Sequence, residues 1–366
     1  MRTKVLLLFA IFALVLCKPK VYVIYTGGTI GMKKTSKGYE PAAGYLSSVV
    51  KALPNFHTDD MPDFTIVEYN PLLDSSNMSP ADWLKVANDV YAHYNEYDGF
   101  VVIHGTDTMA YTASALSFLL QNTNKMIVVT GSQIPLVESV NDGVFNLAGA
   151  IKLAGTLSIP EVCVYFDHKL FRGNRVSKLS AWSLNGFDSG DFPPLATYGV
   201  TVAVESDHVL PKTKSPLTRP TAPSDDVVML HLYPGITGAT VRAMTKGAKG
   251  LVMLAFGTGN GPDANTDFLA ALKEAHDAGC VIVDVTQCHQ GIVNMGEYAT
   301  GNAFLAVGAV SGYDLTPEAA YTKLSWLIGR GMSQKDIEWW MANDIRGEMS
   351  LPANDIHHEI VYVRDI

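Results

Sequence analysis

Short, unbroken apolar runs recur along the chain, separated by longer stretches in which apolar residues return every three or four positions. The runs at 21–25, 99–103, 126–130, 161–166, 226–232, 250–256 and 280–285 are aliphatic or β-branched and do not alternate with polar residues. Such runs mark strands buried on both faces. Helices with legible ends lie between them. Ser79 is placed to cap a helix with Pro80 at its first position and Asp82 at its third, and Trp83, Val86, Ala87, Val90, Tyr91 and Tyr94 share one face of it. Thr266 is expected to cap a second helix, with Phe268, Leu272 and Ala275 on one face and Gly279 closing it. Thr316-Pro317 opens a third, carrying Leu324, Leu327 and Ile328. Strand and helix in alternation predict an α/β protein with a largely parallel sheet.

One stretch breaks the rhythm. Between Ser206 and Asp226 stand Pro211, Pro216, Pro220 and Pro223 with few apolar residues, the composition of a connection between domains. The expected division is a larger N-terminal domain over 18–205, with helices on both faces of its sheet, and a smaller C-terminal α/β domain over 227–366, joined by a linker at 206–226. A length of 366 residues suits two such domains. At the N-terminus, Arg2 and Lys4 precede an apolar run from Val5 to Leu16, then Cys17, Lys18 and Pro19. That run is too short to span a bilayer, which takes about 20 residues. It reads as a secretory signal peptide over 1–17, so the mature chain is expected in the secretory pathway or periplasm, or in the cytoplasm if the leader is not cleaved.

Composition narrows the function. Hydrophobic residues make up 48% and charged residues 17%, which excludes a disordered chain. With 36 acidic against 27 basic residues, the net charge of −9 argues against a nucleic-acid partner. Four cysteines cannot form a disulfide scaffold, and the ten histidines include no zinc-site spacing. No metal and no cofactor is implied, and no membrane partner once the leader is removed.

The chemistry gathers where strands end, the place at which open α/β sheets bind ligands. Thr26-Gly27-Gly28-Thr29-Ile30-Gly31 follows the first strand, and His104-Gly105-Thr106-Asp107-Thr108 follows the strand at 99–103. Thr130-Gly131-Ser132-Gln133 and Gly257-Thr258-Gly259-Asn260 follow two more. Neither glycine cluster matches the spacing of a dinucleotide site, and no Gly-Lys-Ser/Thr exists for a phosphate loop. Small residues in tight turns remain one reading. The other is a set of hydroxyls offered as nucleophiles or hydrogen-bond partners beside backbone that a ligand can approach closely. A threonine nucleophile needs a neighbour to take its proton. Asp107, next to Thr106, could orient such a base, and a lysine of lowered pKa is the plausible base, but read alone Lys178 in its polar stretch is a surface lysine.

In this order the motifs resemble the bacterial-type L-asparaginase family, and more closely its type I branch. Tyr25-Thr26-Gly27-Gly28-Thr29-Ile30-Gly31-Met32 is similar to the first signature, and His104 to Tyr111 to the second. Asp74-Ser75-Ser76-Asn77-Met78, Thr130 to Gln133, Arg172-Gly173-Asn174-Arg175, Tyr233-Pro234-Gly235 and Thr286-Gln287-Cys288 continue the likeness over nearly the whole mature chain. The resemblance implies hydrolysis of L-asparagine to L-aspartate and ammonia through an acyl-threonine. Thr29 would be the primary nucleophile, with Tyr39 closing over it. Thr106, Asp107 and Lys178 would form a second activating group. Backbone N–H groups near Gly28 and Thr106 would hold the oxyanion, Asp74 and Asp107 the substrate ammonium, and Ser75 and Gly105 its carboxylate. Ser76 stands where the periplasmic type II branch carries glutamine. A homodimer or homotetramer is implied. Two other readings are a secreted amino-acid binding protein without catalysis and a related glutaminase or amidohydrolase.

In allosteric type I enzymes an effector-binding arginine occupies the position that aligns with Leu254, while a cysteine matches Cys288. Leucine makes no bidentate contact with a carboxylate, and a switch needs differential contacts with two states. The rate against asparagine concentration is therefore expected to be hyperbolic. A Hill coefficient clearly above one in steady-state kinetics would contradict this.

Overall fold

The computed structural model describes residues 18–36, 38–295 and 299–351; the expected leader at 1–17 lies outside the described residues, as does the chain beyond 351. In chain order the N-terminal elements are β1 (Lys20–Tyr25), β2 (Met32–Thr35), β3 (Gly38–Pro41), α1 (Tyr45–Ala52), β4 (Asp63–Glu68), α2 (Pro80–His93), β5 (Gly99–Ile103), α3 (Met109–Leu119), β6 (Ile127–Thr130), α4 (Gly143–Thr156), β7 (Val162–Phe166), β8 (Lys169–Arg172), β9 (Ser177–Lys178), β10 (Phe187–Asp188), β11 (Ala196–Tyr198) and β12 (Val202–Val204). The C-terminal elements are β13 (Val227–His231), α5 (Gly238–Thr245), β14 (Gly250–Ala255), α6 (Thr266–Asp277), β15 (Val281–Thr286), α7 (Ala299–Ala306), β16 (Val310–Ser311), α8 (Pro317–Gly329) and α9 (Gln334–Met341).

Eight strands form one sheet in the order β12-β11-β8-β7-β6-β5-β1-β4. Its β4-β1-β5-β6-β7 portion is parallel, and β8, β11 and β12 add an antiparallel edge. The chain leaves β1 to one side for β4, then returns to the other side for β5. Such a reversal opens a crevice at the carboxyl ends of the two strands that flank it. The turns after β1 and β5 line that crevice. A second sheet, β13-β14-β15-β16, is parallel throughout the described residues.

Six of the seven apolar runs pair as buried strands, while β13 lies at a sheet edge and is only partly buried, and the residues of β1 alternate between two cores. Tyr22 and Ile24 of β1 pack with Trp83, Val86 and Val90 of α2, whereas Val21, Val23 and Tyr25 pack with Leu147 and Ile151 of α4. Helices therefore cover both faces. In α2 the Ser79–Asp82 capping box is present, but Tyr91 faces solvent at 38% exposure rather than joining the buried stripe. In α6 the cap is Asn265, whose side chain accepts from the Phe268 N–H, so Thr266 is the first helical residue rather than the cap. Thr316 caps α8 as its Thr-Pro start implies.

The proline-rich segment is pinned along its length to neighbouring elements. Leu210 N–H donates to Glu161, Asn124 and Thr213 exchange two hydrogen bonds, Thr218 N–H donates to the Gln121 carbonyl, and Ser224 N–H to that of Ser325. The two sheets also share a core. Helix α8 lies against α3, with Ser114 and Thr322 hydroxyls 2.8 Å apart and the Phe118 and Trp326 rings stacked. No helix among the described residues is long and apolar enough to cross a membrane.

Beneath α8 sits a fully buried ion pair, Lys323 to Glu348 at 2.6 Å. Lys323 also donates to the Asn343 carbonyl, and Glu348 accepts from the N–H groups of Ile345 and Arg346. This pair folds residues 343–350 back against the body. Removing one partner leaves the other charge buried and uncompensated, which costs about 3–5 kcal/mol. Lys323→Met is expected to lower the unfolding free energy by about that amount in urea titrations. A change below about 1 kcal/mol would mean that the pair is dispensable.

Candidate active site

Strand β1 ends at Tyr25, and Thr26 continues its pairing by donating both its N–H and its hydroxyl to the Ile103 carbonyl at 3.0 and 2.9 Å. Beyond β4 the chain stays beside β1, since Tyr69 N–H donates to the Tyr25 carbonyl and Leu73 N–H to that of Thr26. The segments after β1, β4 and β5 thus arrive together. They meet through glycines. A Cβ on Gly28 would lie 2.6 Å from the Gly105 nitrogen, and one on Gly105 would lie 2.4 Å from the Ser75 hydroxyl. Gly28 also holds φ at +101°, a conformation that side chains rarely adopt. Thr29 and Thr106 each follow one of these touching glycines.

Thr106 is buried at the start of the turn before α3. Lys178 Nζ donates to its hydroxyl at 2.9 Å and to Asp107 Oδ1 at 2.8 Å. The Thr106 hydroxyl in turn points its proton at Gln133 Oε1, 3.4 Å away. Gln133 donates to the carbonyls of Ser180 and Ser183, tying the loop after Lys178 to the same point. Asp142 fixes Gln133 by accepting from the N–H groups of Gln133 and Ile134. Thr29 opens a short 3-10 turn over Thr29–Gly31 and is half-buried. Among the described residues, none accepts from the N–H groups of Gly28, Thr29, Gly105 or Thr106.

Ser75 is buried against Gly105, while Asp74 and Ser76 are exposed. The Asp74 carboxylate accepts from Ser76 N–H and Asn77 Nδ2, which shapes the turn. Tyr39 lies on the β2–β3 hairpin with 42% of its surface exposed, and its hydroxyl donates to Glu138 rather than to Thr29. Among the described residues, no group of three or more His, Cys, Asp or Glu is gathered so as to hold a metal ion.

Lys178 reaches the site because the strand carrying it is held from the far side. Arg175 donates to Asp314 at 2.7 Å, to the Gly347 carbonyl and to Ser350. Asn174 donates to the Arg346 carbonyl, and Ser177 to Glu318 Oε2 at 2.8 Å. Burial raises the Glu318 carboxyl above the ordinary carboxylate range. Strand β9 then pairs with β10, placing Lys178 opposite Phe187.

Residues 20–210 match the family described as Asparaginase, N-terminal, and residues 226–341 match the Glutaminase/Asparaginase C-terminal domain. The chain belongs to the asparaginase family. It is 45% identical to L-asparaginase 1 of Escherichia coli over 334 residues, covering 91% of this chain and 98% of that one. Its structure resembles the crystal structure of L-asparaginase I from Vibrio cholerae, with a TM-score of 0.84, 42% identity and coverage of 91% and 100%. It is also 43% identical to a 60 kDa lysophospholipase of Mus musculus, covering 92% of this chain and 64% of that longer one.

Within this asparaginase-family fold, hydrogen bonds join three of the expected site residues, Thr106, Asp107 and Lys178, while Gly28 packs on the Gly105 backbone and the Ser75 side chain packs on Gly105. Sequence reasoning left Gln133 without a role, although its place after the β6 strand end was the available signal. The Gly28–Gly105 contact leaves no room for a methyl group. Gly28→Ala is expected to lower kcat/KM by at least about 10²-fold, since a displacement near 1 Å can cost that much. Near-normal kcat/KM would show that the contact does not set the site.

Proposed function

We propose that this chain hydrolyses L-asparagine to L-aspartate and ammonia, with Thr29 as nucleophile and Thr106, Asp107 and Lys178 as the activating group. The observation that carries the assignment of roles is the Lys178 ammonium nitrogen set 2.9 Å from the Thr106 hydroxyl and 2.8 Å from Asp107, beside the Gly28–Gly105 contact. The Thr29 oxygen attacks the side-chain amide carbon, and its proton passes to the departing nitrogen by way of the Thr106–Lys178 pair. The carbon–nitrogen bond breaks, ammonia leaves and an acyl-threonine remains. Water then adds to the ester carbon under the same activating group, releasing aspartate and restoring the Thr29 hydroxyl. Backbone N–H groups at Gly28, Thr29 and Thr106 stabilise the oxyanion in both steps, often a large contribution to such reactions.

The same reading assigns the substrate ammonium to Asp74 and Asp107 and its carboxylate to Ser75 and Gly105, with Ser76 beside them. Tyr39 closes over Thr29 once substrate draws the β2–β3 hairpin inward and its hydroxyl exchanges Glu138 for the site. A homodimer or homotetramer and export through the leader at 1–17 complete the reading. The two sheets with their linker at 206–226 then act as a catalytic unit over 18–205 and a supporting unit over 227–366.

Purified protein should release ammonia from L-asparagine faster than from L-glutamine in the presence of a chelator. Thr29→Ala, Thr106→Ala and Lys178→Met should each lower turnover at least about 10³-fold, because residues that act as a unit fail together. Folded protein giving no ammonia above the blank would refute the activity. A near-normal rate in Thr106→Ala would refute the role of the second group.

A further inference from the structure

The residue before Gly105 is a histidine with no solvent contact. His104 Nδ1 lies 2.7 Å from the Gly105 carbonyl oxygen, and its Nε2 lies 2.8 Å from the hydroxyl of Thr112 on α3. Both His104 and Thr112 are fully buried. A carbonyl oxygen can only accept, so Nδ1 carries the ring proton. Nε2 is then the acceptor, and Thr112 donates to it. The opposite tautomer would set a nitrogen lone pair against a carbonyl oxygen at the same distance. Burial also pushes the ring pKa down to about 4, so the imidazole is neutral around pH 7.

The carbonyl that His104 grips belongs to the Gly105–Thr106 peptide. That unit is planar and trans, so its C=O and its N–H point in opposite directions. Holding the oxygen fixes the direction of the Thr106 N–H. It also fixes the backbone of Gly105, which touches both Gly28 and Ser75 and has no side chain of its own to lock it. The histidine backbone is anchored as well, through its N–H on the Thr130 carbonyl.

We propose that His104, in the Nδ1-protonated form selected by Thr112, is a positioning residue that sets the Gly105–Thr106 peptide so that the Thr106 N–H faces the developing oxyanion. This rests on the acyl-threonine reading of the site. His104 touches no substrate. It acts by removing a rotational freedom that glycine would otherwise restore, and its hydrogen bond polarises the amide whose N–H stabilises the charge.

Two measurements on the full chain test this. Nitrogen-15 spectra of histidine-labelled protein should show His104 protonated at Nδ1, bare at Nε2 and unchanged from pH 5.5 to 8. Thr112→Val, nearly isosteric but without a donor, should lower kcat about tenfold, the rate equivalent of one lost hydrogen bond, with KM changed less than twofold. Thr112→Ser should recover most of the rate. An Nε2-protonated or titrating ring would overturn the proposal, as would an unchanged kcat in Thr112→Val or no recovery in Thr112→Ser. The nitrogen spectra need no turnover. A protein inactive on asparagine with the expected tautomer would therefore fail the functional reading while leaving the His104 geometry intact.

Discussion

Everything about the site depends on two pieces of backbone touching without side chains between them. Gly28 and Gly105 sit at the ends of neighbouring parallel strands, and their contact is closer than any Cβ would permit. The β1–β5 pairing brings the strand ends together, and the glycines let the following threonines share one crevice. Ser75 closes the third side from the chain leaving β4. Interactions further out serve to keep this meeting point in place. Gln133 steadies the Thr106 hydroxyl, and the buried arginines of the 172–175 segment deliver Lys178.

The strand ends were legible because parallel strands buried on both faces leave unmistakable aliphatic runs, and glycine-hydroxyl turns follow them. Strand β4 was not, since Asp63–Glu68 is a partly exposed edge strand whose longest apolar run is Ile66-Val67, too short to stand out. Strands β8 to β12 are two to four residues long, too short to carry a period. Helix α3 escaped for the opposite reason. Its Met109–Leu119 sequence is buried on nearly every side, so it has no polar face to mark a helical period.

At the site, Thr29, Thr106 and Asp107 could be suspected from local chemistry, because each stands beside a glycine turn. Lys178 could not. It lies 72 residues from Thr106 in sequence, and its approach is set by tertiary contacts that no local pattern records. Resemblance supplied that partner, and geometry supplies the reason for it. The lysine follows a segment whose Arg175, Asn174 and Ser177 all bond to the C-terminal half. Tyr39 illustrates the reverse case, with a role implied by the family resemblance and a hydroxyl that, in this structure, bonds to Glu138.

The stitching of residues 172–177 to Asp314, Glu318 and 346–350 bears on the order in which the molecule can be made. Synthesis proceeds from the N-terminus, and N-terminal units generally fold first as they emerge. The large sheet can assemble early, with Arg172 already matched by Glu161 from within the same half. Arg175 has no such local carboxylate. Its buried partners, Asp314, Gly347 and Ser350, are among the last of the described residues to leave the ribosome. Until they do, Arg175 keeps its contact with the Phe192 ring but lacks the acceptors that its guanidinium finds in the second half. The Thr29 turn and its crevice therefore precede the full support of Lys178. Full anchoring of the Lys178 segment thus waits on the second unit, so a feature of the folded molecule also sets an order for its assembly.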